Sequence, residues 1–462
     1  MRVLLIQPTV SDTLGLRRIA QLEPLGLEYV AASLLRDNSV ELFDARFETD
    51  LEAKLRSYQP DAVGISAAFT ADVSHVRHTI RSIRSVVPQA RIFVGGHHVT
   101  MVPKEFISEV DATVIGEGEA SARELLEAWE AGHDAIQVPG VLTAASPSPD
   151  GDCRVSLAQS LDNLPRPARH LVQRLSHRYL YHNWRPCATL ETLRGCPYRC
   201  RFCSVWKFYR GRVRARSIES VIDELAEIEV PFVVIADDNL FADAGRALAM
   251  AEEIARSGKR KSFLVHVRTD AVVKHTELVP AWVRAGLKVA LVGYESFSQE
   301  RLDELNKHNS LETNEQAVQL LQRHGVQVLA SFIVDPDFSR EDFIALARYV
   351  QRQKLTSPIF TVLTPLPGTE LFDQWQAQLG EADWQLFDLQ HAVLPTRLEL
   401  EEFYRQYSRL YLSAFLSPRS IIRLLTAGVP LNLLRALWAA RRAIDPRNLL
   451  AAHHRNDSLS SA

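Results

Sequence analysis

Two separate stretches of this 462-residue chain alternate short β-rich runs with helical ones, and that rhythm limits its fold more than any other feature. In the first, runs at 3–6, 40–43, 61–66, 91–94 and 112–115 read as strands, with helices expected over 25–35, 51–57 and 73–86. A βαβα order of this kind builds a doubly wound parallel sheet, whose ligands sit beyond the carboxyl ends of the strands. In the second, strands are expected at 188–193, 232–235, 262–267, 289–292, 328–334 and 359–363. Helices over 218–228, 244–257, 276–285, 298–305, 314–324 and 340–353 separate them. Six strand–helix units in order give a partial (β/α)6 barrel. Between the two stretches lie a turn-rich excursion, SPSPDGD at 146–152, and an extended segment, LPRPAR at 164–169. The expected organisation is α/β, with a doubly wound domain at 1–140, a linker at 141–186, a partial barrel at 187–383 and a mostly helical region at 384–462. A chain this long exceeds one ordinary core.

The formal net charge of −3 lacks the basic excess of nucleic-acid-binding chains, so no nucleic-acid partner is expected. No apolar run reaches the roughly 20 residues that span a bilayer. MRVLLIQPTV at the start has no small-residue cleavage site and reads as a strand, which points to the cytoplasm. Five cysteines are too few for a disulfide framework, and Cys153 and Cys187 read as ordinary thiols. The other three crowd into Arg194-Gly-Cys-Pro-Tyr-Arg-Cys-Arg-Phe-Cys-Ser-Val-Trp206, a C-x3-C-x2-C run just after the first barrel strand. Zinc usually needs a fourth protein ligand, often from a second paired motif, and none follows. Three thiolates instead leave one iron of a cubane open, as substrate-activating metal chemistry requires. Gly195 lets the loop turn sharply, and Phe202 sets an aromatic face before the last cysteine.

This segment resembles the signature of the radical S-adenosylmethionine (SAM) superfamily, C-x3-C-x-aromatic-C. The resemblance implies a [4Fe-4S] cluster on Cys196, Cys200 and Cys203, SAM on the open iron, and Phe202 near its adenine. It implies reductive cleavage to a 5'-deoxyadenosyl radical, with the electron supplied by a donor such as flavodoxin or ferredoxin. It also sets Asp238 beside the SAM amine, in Asp237-Asp238-Asn239 where the family has Gly-Gly-Glu, and Glu295 near the ribose. Capping of the next helix is the competing reading for both carboxylates. Arg268 and Asp270 end the third barrel strand, and PLPGT at 365–369 resembles the segment that closes these barrels.

In the first stretch, Gly95-Gly96-His97-His98 and Gly116-Glu117-Gly118-Glu119 stand at strand ends, where glycines let a backbone approach a large ligand. The dinucleotide fingerprint G-x-G-x-x-G is missing. Placed before a radical SAM barrel, the two motifs resemble the cobalamin-binding domain of the B12-dependent class. That implies cobalamin held by Gly95, Gly96, His97, Gly116, Glu117 and Gly118. The absence of D-x-H-x-x-G implies no histidine below the cobalt. A surface loop pair is the competing reading for His97 and His98.

The class mostly methylates unreactive centres by way of methylcobalamin and the deoxyadenosyl radical. Oxidation or ring closure of a tetrapyrrole is the rival chemistry within it, and no motif separates the two. The stretches 22–29, 186–191 and 386–397 resemble the hopanoid C-3 methylase group. That implies methylation of an unactivated carbon in a hopanoid-type lipid, with bacteriochlorophyll side-chain methylases as a second possibility. Over 421–450, apolar residues at helical spacing accompany Arg423, Arg435, Arg441, Arg442 and Arg447. Such a stretch can rest on an anionic membrane surface, or pack on the barrel with its basic face in water. A cobalamin sensor or a structural zinc protein without turnover is the non-enzymatic alternative, and iron against zinc separates it from the enzyme.

Overall fold

The computed structural model describes residues 1–10, 20–146, 155–181, 184–380, 383–415 and 445–457. Cys153, most of SPSPDGD and most of the basic stretch at 421–450 lie outside the described residues. The chain divides into two compact units, one of 1–11, 20–196 and 204–230, the other of 12–19, 197–203 and 231–462.

The first unit is built on strands β1 (Arg2–Gln7), β2 (Ser39–Asp44), β3 (Ala62–Ser66), β4 (Arg91–Gly95), β5 (Ala112–Val114) and β6 (Val141–Leu142). They lie in the order β2-β1-β3-β4-β5-β6, all parallel except the last pairing. Val3, Leu4, Leu5 and Ile6 of β1 are all buried, the continuous apolar run of a strand covered on both faces. Helices α1 (Leu25–Leu34), α2 (Leu51–Tyr58), α3 (Val73–Val86), α4 (His97–Met101) and α5 (Gly118–Glu130) connect the strands. The loops after β3, β4 and β5 leave the same edge of the sheet because those strands run parallel. Ala168, Val172, Leu175 and Tyr179 pack into this core, and Arg169 is ion-paired to Glu23, Glu28 and Glu224 beneath the surface. A further strand, β7 (Cys187–Leu190), and helix α6 (Ile218–Glu227) belong to the same residue set.

The second unit carries β8 (Phe232–Ile235), β9 (Ser262–Val267), β10 (Leu287–Glu295), β11 (Gln327–Val334) and β12 (Ser357–Val362). They pair in chain order and in parallel, as a right-handed succession of strand and crossover helix requires. The helices are α7 (Ala244–Arg256), α8 (Thr269–Lys274), α9 (Leu278–Ala285), α10 (Gln299–Glu304), α11 (Leu311–Arg323), α12 (Arg340–Arg352) and α13 (Glu370–Leu379). Five of them begin on a side-chain cap: Asp243, Ser298, Ser310, Ser339 and Thr369 each accept from a backbone N–H of the first turn. Two more helices follow, α14 (Leu400–Phe415) and α15 (Pro446–Asp457). Among the described residues, no helix is long and apolar enough to cross a membrane.

Candidate functional site

Beyond the carboxyl end of β9, Arg268 gathers several of the expected site residues. Its Nη1 lies 3.6 Å from Cys200 Sγ, its Nη2 donates to the Lys307 carbonyl at 2.6 Å, and its Nε donates to Asp270 Oδ1 at 3.0 Å. The guanidinium stacks 3.5 Å over the Tyr198 ring. Asp270 is thus occupied by Arg268 rather than free to meet a ligand.

Glu295 closes β10 in the left-handed region at φ 62°, a conformation that costs a non-glycine residue roughly 1 kcal/mol or more. Its carboxylate is held 2.5 Å from Lys307 Nζ, and both side chains are buried. Lys307 Nζ also stands 5.9 Å from the Phe202 ring centroid, and Phe202 packs against the small apolar cluster of Leu305, Leu363 and Leu371. Phe202, Glu295, Cys200 and Arg268 therefore share one neighbourhood around Lys307, a residue the sequence motifs did not single out. In the loop after β8, Asp238 is exposed, whereas Asn239 is buried with neither side-chain polar atom partnered. Tyr294 is fully buried, with its hydroxyl donating to the Asn314 carbonyl, which gives it a packing role.

The described cysteines are all free thiols, Cys200 buried, Cys196 and Cys203 partly exposed. Among the described residues no three His, Cys, Asp or Glu side chains are drawn together as a ready metal site. The donor set fits an iron–sulfur cluster in kind: three thiols with no disulfide, in one turn-rich loop, one of them beside a buried guanidinium.

In the first unit, Gly96 has φ 127°, and a Cβ there would stand 2.8 Å from the Ala67 carbonyl oxygen. Gly116, at φ 87°, is crowded in the same way by Ser156 and Val155. Gly95 ends β4 and Gly118 opens α5. Gly96 and Gly116 are required by close approach of the chain's own loops, whereas at Gly95 and Gly118 an added Cβ would first meet the Val114 and Val30 side chains, at 3.3 and 3.2 Å. Glu117 is buried and bound by Arg214 at 2.6 and 2.9 Å, by Arg194 at 3.0 Å and by the Ala158 amide at 2.6 Å. Burial alone would raise its pKa, but the Arg214 hydrogen bonds and the Arg194 charge outweigh that and hold it below the usual range. His97 Nε2 lies 2.7 Å from Ser204 Oγ, and its ring stacks on Phe208 at 5.0 Å. His98 is buried with Nδ1 3.1 Å from Thr70 Oγ1. Burial lowers both imidazoles to about 4, so both are neutral near pH 7.

Comparison with known proteins agrees with this layout. The B12 binding domain model matches residues 14–126, and the Radical SAM superfamily model matches 190–350. A hopanoid C-3 methylase of Methylococcus capsulatus is 33% identical over 98% of this chain and 89% of its own length. An anaerobic magnesium-protoporphyrin IX monomethyl ester cyclase of Rubrivivax gelatinosus is 27% identical over 90% of this chain and 78% of its own. The fold is shared with TsrM, a radical SAM methyltransferase of Kitasatospora setae solved with cobalamin and a [4Fe-4S] cluster, at a TM-score of 0.66 and 20% identity over 82% of this chain and 78% of that one. With both domains in one chain and a methylase relative spanning nearly its whole length, the chain is an enzyme of the cobalamin-dependent (B12-binding) radical SAM family, whose cofactors are cobalamin, SAM and a [4Fe-4S] cluster.

Proposed function

We propose that this enzyme methylates an unactivated carbon of a hopanoid-type polycyclic lipid. The observation that carries the reading is the similarity to a hopanoid C-3 methylase across 98% of the chain. When bound, the cluster and SAM supply a carbon-centred radical and the cobalamin carries a methyl group. Cys196, Cys200 and Cys203 would hold the cluster, with Arg268 Nη1 3.6 Å from the Cys200 sulfur. Phe202 and the Glu295–Lys307 pair would border the SAM nucleoside, with Asp238 and the unpartnered Asn239 at its amine. Gly95, Gly96, His97, Gly116, Glu117 and Gly118 would line the cobalamin. Arg194 and Arg214 fix the Glu117 loop in place for that role. A small redox protein of the flavodoxin or ferredoxin class would deliver the electron.

A tetrapyrrole substrate is the second reading, favoured by the 27% identity to a magnesium-protoporphyrin cyclase. The test is anaerobic reconstitution of wild type and Cys200→Ala, with metal analysis, 5'-deoxyadenosine assay and mass spectrometry of hopanoid and porphyrin incubations. Wild type is expected to hold iron and cobalamin, release deoxyadenosine and add 14 mass units to the hopanoid, a shift of one CH2. The variant should lose deoxyadenosine formation by at least about 100-fold. Zinc in place of iron, or equal activity in both proteins, sinks the proposal. Methylation or ring closure of the porphyrin alone moves it to the second reading.

A further inference from the structure

Helices α12 and α14 pack side by side, with the Phe343 and Phe403 rings edge-on at 5.5 Å and Arg340 Nε 2.8 Å from the Glu402 carboxylate. One side of α14 covers β12 through Tyr407 and Tyr411. Along its seam with α12 runs a groove of about 630 Å³. Residues four apart share a helix face, and both rims show that spacing. Arg340, Ile344 and Arg348 line the groove from α12, and Arg405, Arg409 and Ser413 line it from α14. Phe343 and Leu410 line it too and are buried, which makes its floor apolar.

The groove is cationic. Four arginines line it against a single carboxylate, Glu402. That carboxylate is already taken, because Arg340, Arg405 and Gln406 all bond to it. Arg348 and Arg409, one on each rim, are exposed and have no ion pair or hydrogen bond among the described residues. Packed helices lie roughly 8–10 Å apart, so two such long arms can converge on one anionic group. The chain cannot supply that group from the sequence that continues α14. Although the net charge is −3, residues 403–444 hold seven arginines and no lysine, aspartate or glutamate. The anion must come from outside. Ile344, between Arg340 and Arg348, is 47% exposed, so the same rim also offers an apolar contact. Guanidinium groups beside an exposed aliphatic side chain match an anionic bilayer, where phosphodiesters lie directly above acyl chains.

We propose that the groove between α12 and α14 docks the enzyme on an anionic phospholipid surface, with Arg348 and Arg409 on a headgroup phosphodiester and Ile344 at the acyl boundary. A polycyclic lipid substrate is met in such a bilayer, so the surface would bring the enzyme to it. Docking is measured without that substrate, so this inference and the lipid reading can each fail alone.

The experiment is co-sedimentation of the full-length holoenzyme with vesicles of phosphatidylcholine alone, or of an equal mixture with phosphatidylglycerol. Wild type should bind the mixed vesicles, not the neutral ones, and more weakly as salt rises. An arginine at an anionic surface is worth about fivefold in binding, so Arg348→Gln/Arg409→Gln should weaken it by roughly 20- to 30-fold. Ile344→Asn should weaken it by about fivefold. These positions are exposed, so melting temperatures should match wild type. Arg36→Gln/Arg81→Gln removes the same charge from exposed positions of the first unit and should bind as wild type does. Undiminished binding by the groove variants overturns the proposal, and so does an equal loss in the remote pair, which would assign the attraction to net charge. Equal binding to neutral vesicles overturns it as well. Competition by soluble glycerophosphoglycerol at matched ionic strength would assign the groove to a free anion and overturn the docking role. Self-association without vesicles that the groove variants lose would assign the face to a second copy of the chain, with the same result.

Discussion

Lys307 illustrates how a few side chains position the chemistry in this fold. Its ammonium is buried against the Glu295 carboxylate, and its carbonyl receives Arg268, which reaches Cys200. A buried ion pair adds little stability when intact, because desolvation offsets the attraction. Removing one partner is different, since it strands a charge. Lys307→Met should therefore cost about 3–5 kcal/mol, and the Lys307→Met/Glu295→Gln double variant should recover a good part of that. Denaturant unfolding of the four proteins in the cycle measures the coupling. Strict additivity of the two single costs would show that the pair is not formed.

At the scale of elements, α14 illustrates how the last strand of a sheet is finished. Strand β12 ends the sheet order, so one side of its backbone has no neighbouring strand. Tyr407 and Tyr411 of α14 both donate to the Phe360 carbonyl, at 2.8 and 2.6 Å, and the Phe360 amide donates to the Tyr411 hydroxyl at 3.2 Å. Open strand edges invite unwanted pairing, and a covering helix removes the risk. Tyr407→Phe and Tyr411→Phe should each cost about 1 kcal/mol, and the double variant more than the sum, because only then are both Phe360 groups left unsatisfied. Thermal melts with light-scattering detection would show the loss and any gain in aggregation. Most of the strands and long helices of both units were legible in the sequence, because apolar periods of 2 and 3.6 mark them directly, but α5 (Gly118–Glu130) and α13 (Glu370–Leu379) were not expected. Helix α8 was not, since six residues are too few to show a period. The thiol motif was legible for the same reason the strands were: its pattern is local. Lys307 was hidden because its partner lies 12 residues away on another element and only the fold joins them. Similarly, nothing local in Asp237-Asp238-Asn239 reveals that the middle residue is exposed while the third is buried.

For the whole molecule, two separate cores imply two separable responses to ligands. The first unit has its own parallel sheet and the B12-binding match, whereas the second has its own strands and most of the radical SAM match. A ligand that binds only the folded form stabilises by RT ln(1 + [L]/Kd), or about 2.7 kcal/mol at a hundredfold excess over Kd. For cores of about 200 residues this raises a melting temperature by roughly 5–10 °C. Calorimetry on the anaerobic protein should therefore show hydroxocobalamin raising one transition, and SAM with the reconstituted cluster raising the other. Removing iron with a chelator should lower the second, which holds Cys200 and Cys203. A single transition moved equally by either ligand would mean that the two cores unfold as one, and the separable picture would have to be given up. If the two shifts are independent in calorimetry yet methyl transfer needs both ligands, the coupling between them belongs to the reaction rather than to the stability of either fold.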